Sequence, residues 1–376
     1  MGMRWSRREF VQWMGYSSLA SAGMSSPLLA ATKGGSRAKF AYVSAKEGAD
    51  EGIHAYVIGA RGWKKLQTVK SERPVSVTLS PDRRFLYAVN EVASHKGLPV
   101  GTVEAFAVEQ DGRLRLLNRR ALALSATDPR HAAVTPDGGS LVIAVRGGGA
   151  YNVLPIAEDG SLGSVSGIVK EIGVVHANAG QGAEPHMVAF DKAGRVVSVD
   201  AGTNRLNVFA VMEGRIEAQE RLALAGGSRP TQVSLHPAGD AVYVMHEDGI
   251  SCHRYDADSG RISGERQQLS MSGTVEGPGT MTVHPSGRFL YASQRGGGIA
   301  GWNVASSTAR PLGLQAAEMG ELNAIEVALD GVGLLGVSRS KGTIQSAEIN
   351  PSTGRVQAGR VVARVDSPSS LTVLYS

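Results

Sequence analysis

An all-β fold, a seven-bladed β-propeller built from four-stranded antiparallel blades, is what this sequence predicts, and three observations carry the prediction. A strand–turn–strand phrase recurs along the chain: Val77-Thr-Leu-Ser-Pro-Asp-Arg-Arg-Phe-Leu-Tyr87, Ala133-Val-Thr-Pro-Asp-Gly-Gly-Ser-Leu-Val142 and Val283-His-Pro-Ser-Gly-Arg-Phe-Leu-Tyr291, with weaker copies opening at Val188, Val233 and Val327. With the turn residues Pro81, Pro136, Lys192, Pro237, Pro285 and Leu329 as anchors, the copies lie 44 to 56 residues apart, the repeat length of all-strand blades. Glycine is abundant, 48 of 376 residues, and sits where hairpins are needed. Finally, the two ends of the folded part carry strands that lack partners of their own and complement each other.

The first 31 residues read as something other than fold. Ser6-Arg7-Arg8-Glu9-Phe10-Val11 leads into an uncharged, moderately apolar run ending in Leu28-Leu-Ala-Ala31. Paired arginines before a short apolar segment with small residues at its end describe a cleaved twin-arginine export signal. The run is only marginally hydrophobic for a bilayer span, so stable membrane insertion is not expected. The expected order is a signal over 1–31, a linker over 32–38 and the propeller over 39–376. The export machinery is then a partner, and the location periplasmic or extracellular.

From Lys39 the strands follow in order. Lys39-Phe-Ala-Tyr-Val43, Gly52-Ile-His-Ala-Tyr-Val-Ile58 and Trp63-Lys-Lys-Leu-Gln67 are three strands of a blade that lacks its first. Each anchor then supplies an inner strand before it and an apolar second strand after it, such as Phe85-Leu-Tyr-Ala-Val89 or Ala241-Val-Tyr-Val-Met245. Third strands follow at Thr102–Val108, Arg205–Val211 and Gly298–Val304. Asp111-Gly112, Asp159-Gly160, Glu213-Gly214, Ser259-Gly260 and Thr353-Gly354 mark the hairpins to the fourth strands, where two-residue turns need positive φ. Six anchors give six inner strands. Ser370-Leu-Thr-Val-Leu-Tyr375 is the seventh, and it completes the blade begun at Lys39, so that both chain ends close one blade and no sheet edge is left open.

Composition narrows function. The net charge of +5 is scattered, with no basic stripe, which excludes a nucleic-acid surface. Aromatics, at 5%, are too few for a polymer-binding groove. Cys252, the single cysteine, lies in an alternating strand with nothing nearby to activate it and reads as a packed thiol. Paired metal-ligand spacings are absent, so no metal or other cofactor is expected.

Equivalent offsets from the anchors converge on one mouth. Five residues ahead stand Ser76, His131, Met187, Gln232, Thr280 and Ala324; six ahead, Val75, Arg130, His186, Thr231, Gly279 and Asn323. Beyond the second strands come Asn90-Glu91, Val145-Arg146, Asp200, His246-Glu247, Gln294-Arg295 and Ser338-Arg339. In an antiparallel pair the start of one strand lies beside the end of the next, so both sets share a face. Charges recurring at one offset around a concave mouth point to a polar small-molecule site. His131 and His186 are the candidates for proton transfer, whereas His236 and His284 precede turn prolines and read as structural. Glu91 or Asp200 would orient the imidazole, and Arg146 and Arg295 would hold an oxyanion or an acidic substituent. No Gly-x-Ser-x-Gly elbow is present, so a serine nucleophile is not indicated.

The phrases Ser80-Pro-Asp-Arg-Arg-Phe-Leu-Tyr-Ala-Val-Asn-Glu91, Pro129-Arg-His131, Gln181 through His186, Val199-Asp-Ala-Gly-Thr-Asn-Arg205 and His284 through Tyr291 resemble the lactonase family of seven-bladed propellers. That family includes bacterial 6-phosphogluconolactonase and the fungal muconate-lactonizing enzymes. The resemblance implies hydrolysis of a polar or acidic sugar lactone, with Gln181, Glu184, His246 and Glu247 joining Arg146 and Arg295 around the substrate. The chain departs from the family pattern at Thr231, Gln232, Thr280 and Thr282, where the family usually carries Arg-His and a Glu with a His. The competing expectation is a non-catalytic propeller that binds a ligand or partner protein through the same mouth.

Overall fold

The structure, a computed structural model, describes residues 38–59, 62–171, 182–271 and 278–375. The proposed signal and linker, apart from Ala38, lie outside the described residues.

Seven four-stranded antiparallel sheets form the ring. Blade 1 holds β4 (Pro74–Leu79), β5 (Phe85–Asn90), β6 (Thr102–Val108) and β7 (Leu114–Ala121). Blade 2 holds β8 (Thr127–Val134), β9 (Ser140–Gly147), β10 (Ala150–Pro155) and β11 (Gly167–Lys170). Blade 3 holds β12 (Pro185–Phe190), β13 (Val196–Asp200), β14 (Arg205–Met212) and β15 (Arg215–Ala223). Blade 4 holds β16 (Gln232–Leu235), β17 (Ala241–Met245), β18 (Ile250–Asp256) and β19 (Arg261–Leu269). Blade 5 holds β20 (Pro278–Val283), β21 (Phe289–Gln294), β22 (Ile299–Asn303) and β23 (Arg310–Gln315). Blade 6 holds β24 (Ala324–Val327), β25 (Gly333–Ser338), β26 (Thr343–Glu348) and β27 (Arg360–Arg364). Blade 7 combines β28 (Pro368–Tyr375) with β1 (Ala38–Ala45), β2 (Gly52–Gly59) and β3 (Gly62–Val69) in the order β28-β1-β2-β3.

The shared blade is as expected: Phe40 pairs Leu374, Tyr42 pairs Thr372 and Ser44 pairs Ser370. Second strands such as β5 and β21 are buried along their whole length, because each is packed between two neighbouring blades. The apolar core is accordingly divided into clusters that lie between blades, such as Tyr87, Val89, Leu141, Ile143 and Val145 between blades 1 and 2.

The hairpins join blades as well as strands. The Asp-Gly turn of blade 1 presses Gly112 onto Phe40 of blade 7, where a Cβ would come within 2.4 Å of the ring. Two residues on, Tyr42 Oη donates to the Gly112 carbonyl at 3.1 Å. The pattern repeats with Phe85, Tyr87 and Gly160, and with Phe289, Tyr291 and Gly354. Positive φ at both turn residues occurs at Glu213-Gly214 alone among the five hairpins; in the others only the glycine is left-handed, and the loop is longer. His236 and His284 also span blades, through Nε2 contacts of 2.8 Å to the carbonyls of Gly287 and Gly331. Among the described residues no helix is long and apolar enough to cross a membrane.

Candidate active site at the mouth of the channel

The seven inner strands enclose a central channel of about 660 Å³. At its mouth the inner strands begin irregularly. Register shifts between Pro74 and Ser76, Pro129 and His131, and Pro185 and Met187 leave Val75, Arg130 and His186 as bulged residues at one equivalent place. A bulge relaxes the strict alternation of a strand and re-aims a side chain. Arg130 and His131 both line the channel.

Glu91, just past β5 and 5% exposed, is the electrostatic hub. Lys46 contacts one of its oxygens; Arg130 Nη1 lies 2.9 Å and Arg146 Nη2 3.8 Å from the other. Burial alone would raise this carboxyl, but the hydrogen bond from Lys46 and the charges of Arg130, Lys46 and Arg146 outweigh it and hold it below its ordinary range. Three cations on one carboxylate leave this side of the mouth positive. The next side is the reverse: Arg229 is shared by Glu184 at 3.1 Å and Glu247 at 3.2 Å.

His186 stands between these two groups. Burial, then the charges of Arg130, Arg146 and Arg229 against the opposing effect of Glu184, push its pKa down to about 4. His131 is likewise pushed down to about 4, by burial, and its Nδ1 is buried without a hydrogen-bond partner. Both imidazoles are therefore neutral at neutral pH and carry a free lone pair, the state a general base requires. The ion-paired charges run as an arc over blades 7, 1, 2, 3 and 4; Arg339 of blade 6 and Arg295 of blade 5 stand at the same offset and, among the described residues, form no ion pair.

Other expected site residues are used differently. Asp200 is fully buried at the end of β13, and its Oδ1 accepts from the backbone amides of Glu184 and Thr203, each at 2.9 Å. It fixes the segment that carries His186 and does not orient an imidazole directly; burial pushes its carboxyl upward. His246 is buried just past β17. Its Nε2 turns back along the β17–β18 hairpin to Ser251 Oγ at 2.6 Å, which also meets His253 Nε2 at 2.8 Å. Arg295 is exposed and, among the described residues, forms no ion pair. Gln181 lies outside the described residues.

Two of the four departures from the family pattern, Gln232 and Thr280, bond each other. Gln232 Nε2 donates to Thr280 Oγ1 at 3.1 Å, and its Oε1 accepts from Met281 N at 2.7 Å, joining blades 4 and 5 without charge. That neutral link lies between the ion-paired arc and Arg295 of blade 5. Sequence reasoning missed Lys46 and Arg229 and did not select Arg130. Lys46 occupies the position after a second strand once β1 is read as the second strand of blade 7, and Arg130 stands at the same offset as His186. Arg229 stands eight residues ahead of its anchor, the offset of Arg73, Asp128 and Glu184, which the sequence reading did not use.

Comparison with known proteins agrees with this architecture. The model of the family described as lactonase, 7-bladed beta-propeller, matches residues 40–374. The 6-phosphogluconolactonase of Bacillus subtilis (strain 168) is 24% identical over 263 residues, covering 66% of this chain and 72% of its own. A candidate 6-phosphogluconolactonase from Bacteroides fragilis superposes with a TM-score of 0.79 at 24% identity, over 92% of this chain and 99% of its own. The periplasmic gluconolactonase of Pseudomonas aeruginosa also gives 0.79, at 21% identity, over 89% and 98%. At such identities the superpositions speak for the fold. The family model spans nearly all of the described propeller, and the chain belongs to the lactonase family of seven-bladed β-propellers.

Proposed function

We propose that this protein hydrolyses a sugar lactone at the charged arc, with His186 as general base. The observation that carries the reading is a neutral imidazole set between the Glu91 group of cations and the Glu184–Arg229–Glu247 group. His186 takes a proton from water as the oxygen adds to the lactone carbonyl. The guanidinium of Arg146, the loosest of the Glu91 partners, faces the developing oxyanion. Collapse breaks the ring C–O bond, and the leaving alkoxide recovers the proton from His186, giving the open hydroxy acid.

The test is acid release by the purified chain from a panel containing glucono-δ-lactone, its 6-phosphate and a γ-lactone, corrected for spontaneous opening. Saturable hydrolysis of at least one is expected. A folded protein that accelerates none of them would favour a non-catalytic propeller. Export before action is part of the proposal and rests on Arg7, Arg8 and the apolar run that follows. Changing both arginines to lysine is expected to retain the protein in the cytoplasm by fractionation; unchanged export would remove the twin-arginine route.

A further inference from the structure

Arg229 sits at a corner of the backbone, just before Pro230. Its φ is +44°, in the left-handed region that is unfavourable for a residue with a Cβ. Left-handed residues also precede Pro74, Pro129 and Pro368, at Arg73, Asp128 and Ser367. The corner therefore belongs to the fold, as a way of turning the chain toward an inner strand. The corner of blade 1 also carries an arginine, but Arg73 turns to the Glu91 carbonyl at 3.0 Å and toward Glu47; particular to blade 4 is a guanidinium that joins two carboxylates, Glu184 and Glu247.

Three attachments fix it. The Arg229 amide donates to Asn204 Oδ1 at 2.8 Å, Nη2 to Glu184 Oε2 at 3.1 Å and Nε to Glu247 Oε1 at 3.2 Å. The Glu247 amide in turn donates to the Ser228 carbonyl at 3.3 Å, so the acceptor is tied to the same loop. A guanidinium can serve two carboxylates at once because its donors form a rigid planar fork. Glu184 is itself held through its amide by Asp200, and it stands two residues before His186.

We propose that Arg229 is a positioning residue for His186, clamping Glu184 to the rim of blade 4 and keeping a positive charge beside the imidazole. This rests on the reading of His186 as the base. The charged groups that face His186 are Arg130 from β8, Arg146 from the end of β9, Glu184 from its own segment and Arg229 from the corner before β16. Of these, Arg229 alone also sets the place of the sole carboxylate. Its loss would remove a cation and release Glu184 toward the ring, and both changes favour a protonated imidazole. His131 is lowered by burial alone, so it serves as an internal control.

The experiment is an NMR titration of the histidine ring protons in the wild type, R229G, R229Q and R229K, with kcat and KM measured alongside. R229G suits the left-handed corner better than arginine, so its Tm is expected to equal or exceed that of the wild type. R229Q leaves the corner as it is and removes only the charge. In both, the His186 titration is expected to move upward from about 4, His131 to stay in place, and kcat to fall about tenfold or more through misplacement. R229K is expected to return the titration most of the way while recovering only part of kcat. A His186 titration unmoved in both R229G and R229Q overturns the inference. Because this readout needs no turnover, it decides the matter even if the lactone panel fails.

Discussion

Removing residues 368–376 is expected to abolish cooperative folding. β28 is the inner strand of blade 7, and its loss strips β1 of the ladder that runs from Ala38–Tyr375 to Ala45–Pro368. It also removes buried Val373 and Tyr375 and half-buried Leu371 from the core between blades 6 and 7, and half-buried Leu374 from the core between blades 7 and 1. Links to blade 1 disappear as well: Arg83 Nη1 to the Tyr375 carbonyl at 2.9 Å, Ser369 Oγ to the Pro74 carbonyl at 2.9 Å and Val77 N to Ser370 Oγ at 3.2 Å. Burial of each large apolar side chain contributes about 1.5–3 kcal/mol, so the apolar loss alone approaches the roughly 5–15 kcal/mol that holds a typical domain together. The truncated chain should be insoluble or melt without a sharp transition by circular dichroism. A melt as sharp and as high as that of the full chain would show that ring closure contributes little. Since Ala38 and Tyr375 are paired, a short turn joining them in a permutant opened elsewhere should preserve the fold.

Most of this architecture was legible because a propeller repeats its physical problem. Every second strand is packed on both faces, so Phe85–Val89 and Ala241–Met245 read as apolar runs and proved to be β5 and β17 with at most one residue added. Every blade needs a reversal into its outer strand, which put glycine at 112, 160, 214, 260 and 354, all with positive φ. What the residues did not announce was turn type. A two-residue turn and a longer loop ending in a left-handed glycine place the same demand on that glycine, and the difference lies in hydrogen bonds such as Gly112 N to the Glu109 carbonyl.

The site was legible only in part, for a different reason. Offsets from the anchors locate backbone positions, and they placed Glu91, His131, Arg146, His186 and Glu247 at the mouth. They do not say which way a side chain turns. His246 and Glu247 are neighbours at the end of β17, yet one folds back to Ser251 while the other reaches Arg229. Nor do offsets register bulges such as the one at Arg130, where the ladder passes from Pro129 to His131. The family phrases marked Gln232 and Thr280 as departures; only their mutual hydrogen bond shows that the departures form one neutral link.

His186→Ala is expected to lower kcat on the best lactone by about a hundredfold or more, the scale of a lost general base. The wild-type pH profile supplies the sign. A base must be unprotonated to act, and the His186 pKa is pushed down to about 4 by burial and then by Arg130, Arg146 and Arg229 against Glu184. Activity should accordingly hold as pH falls below 6.5 and decline only on approach to about 4, without the usual histidine limb. Stability moves by the same linkage. The unfolded imidazole takes its proton near 6.5 and the folded one near 4, so acidification through that window favours the unfolded chain. The alanine variant lacks this liability, and its Tm relative to wild type should be higher at pH 5 than at pH 7. His131→Ala, which empties a position in the channel wall beside the arc, should cost less than His186→Ala. If instead His131→Ala abolishes turnover while His186→Ala leaves kcat within a factor of a few, the base lies in the channel and the arc serves only to bind.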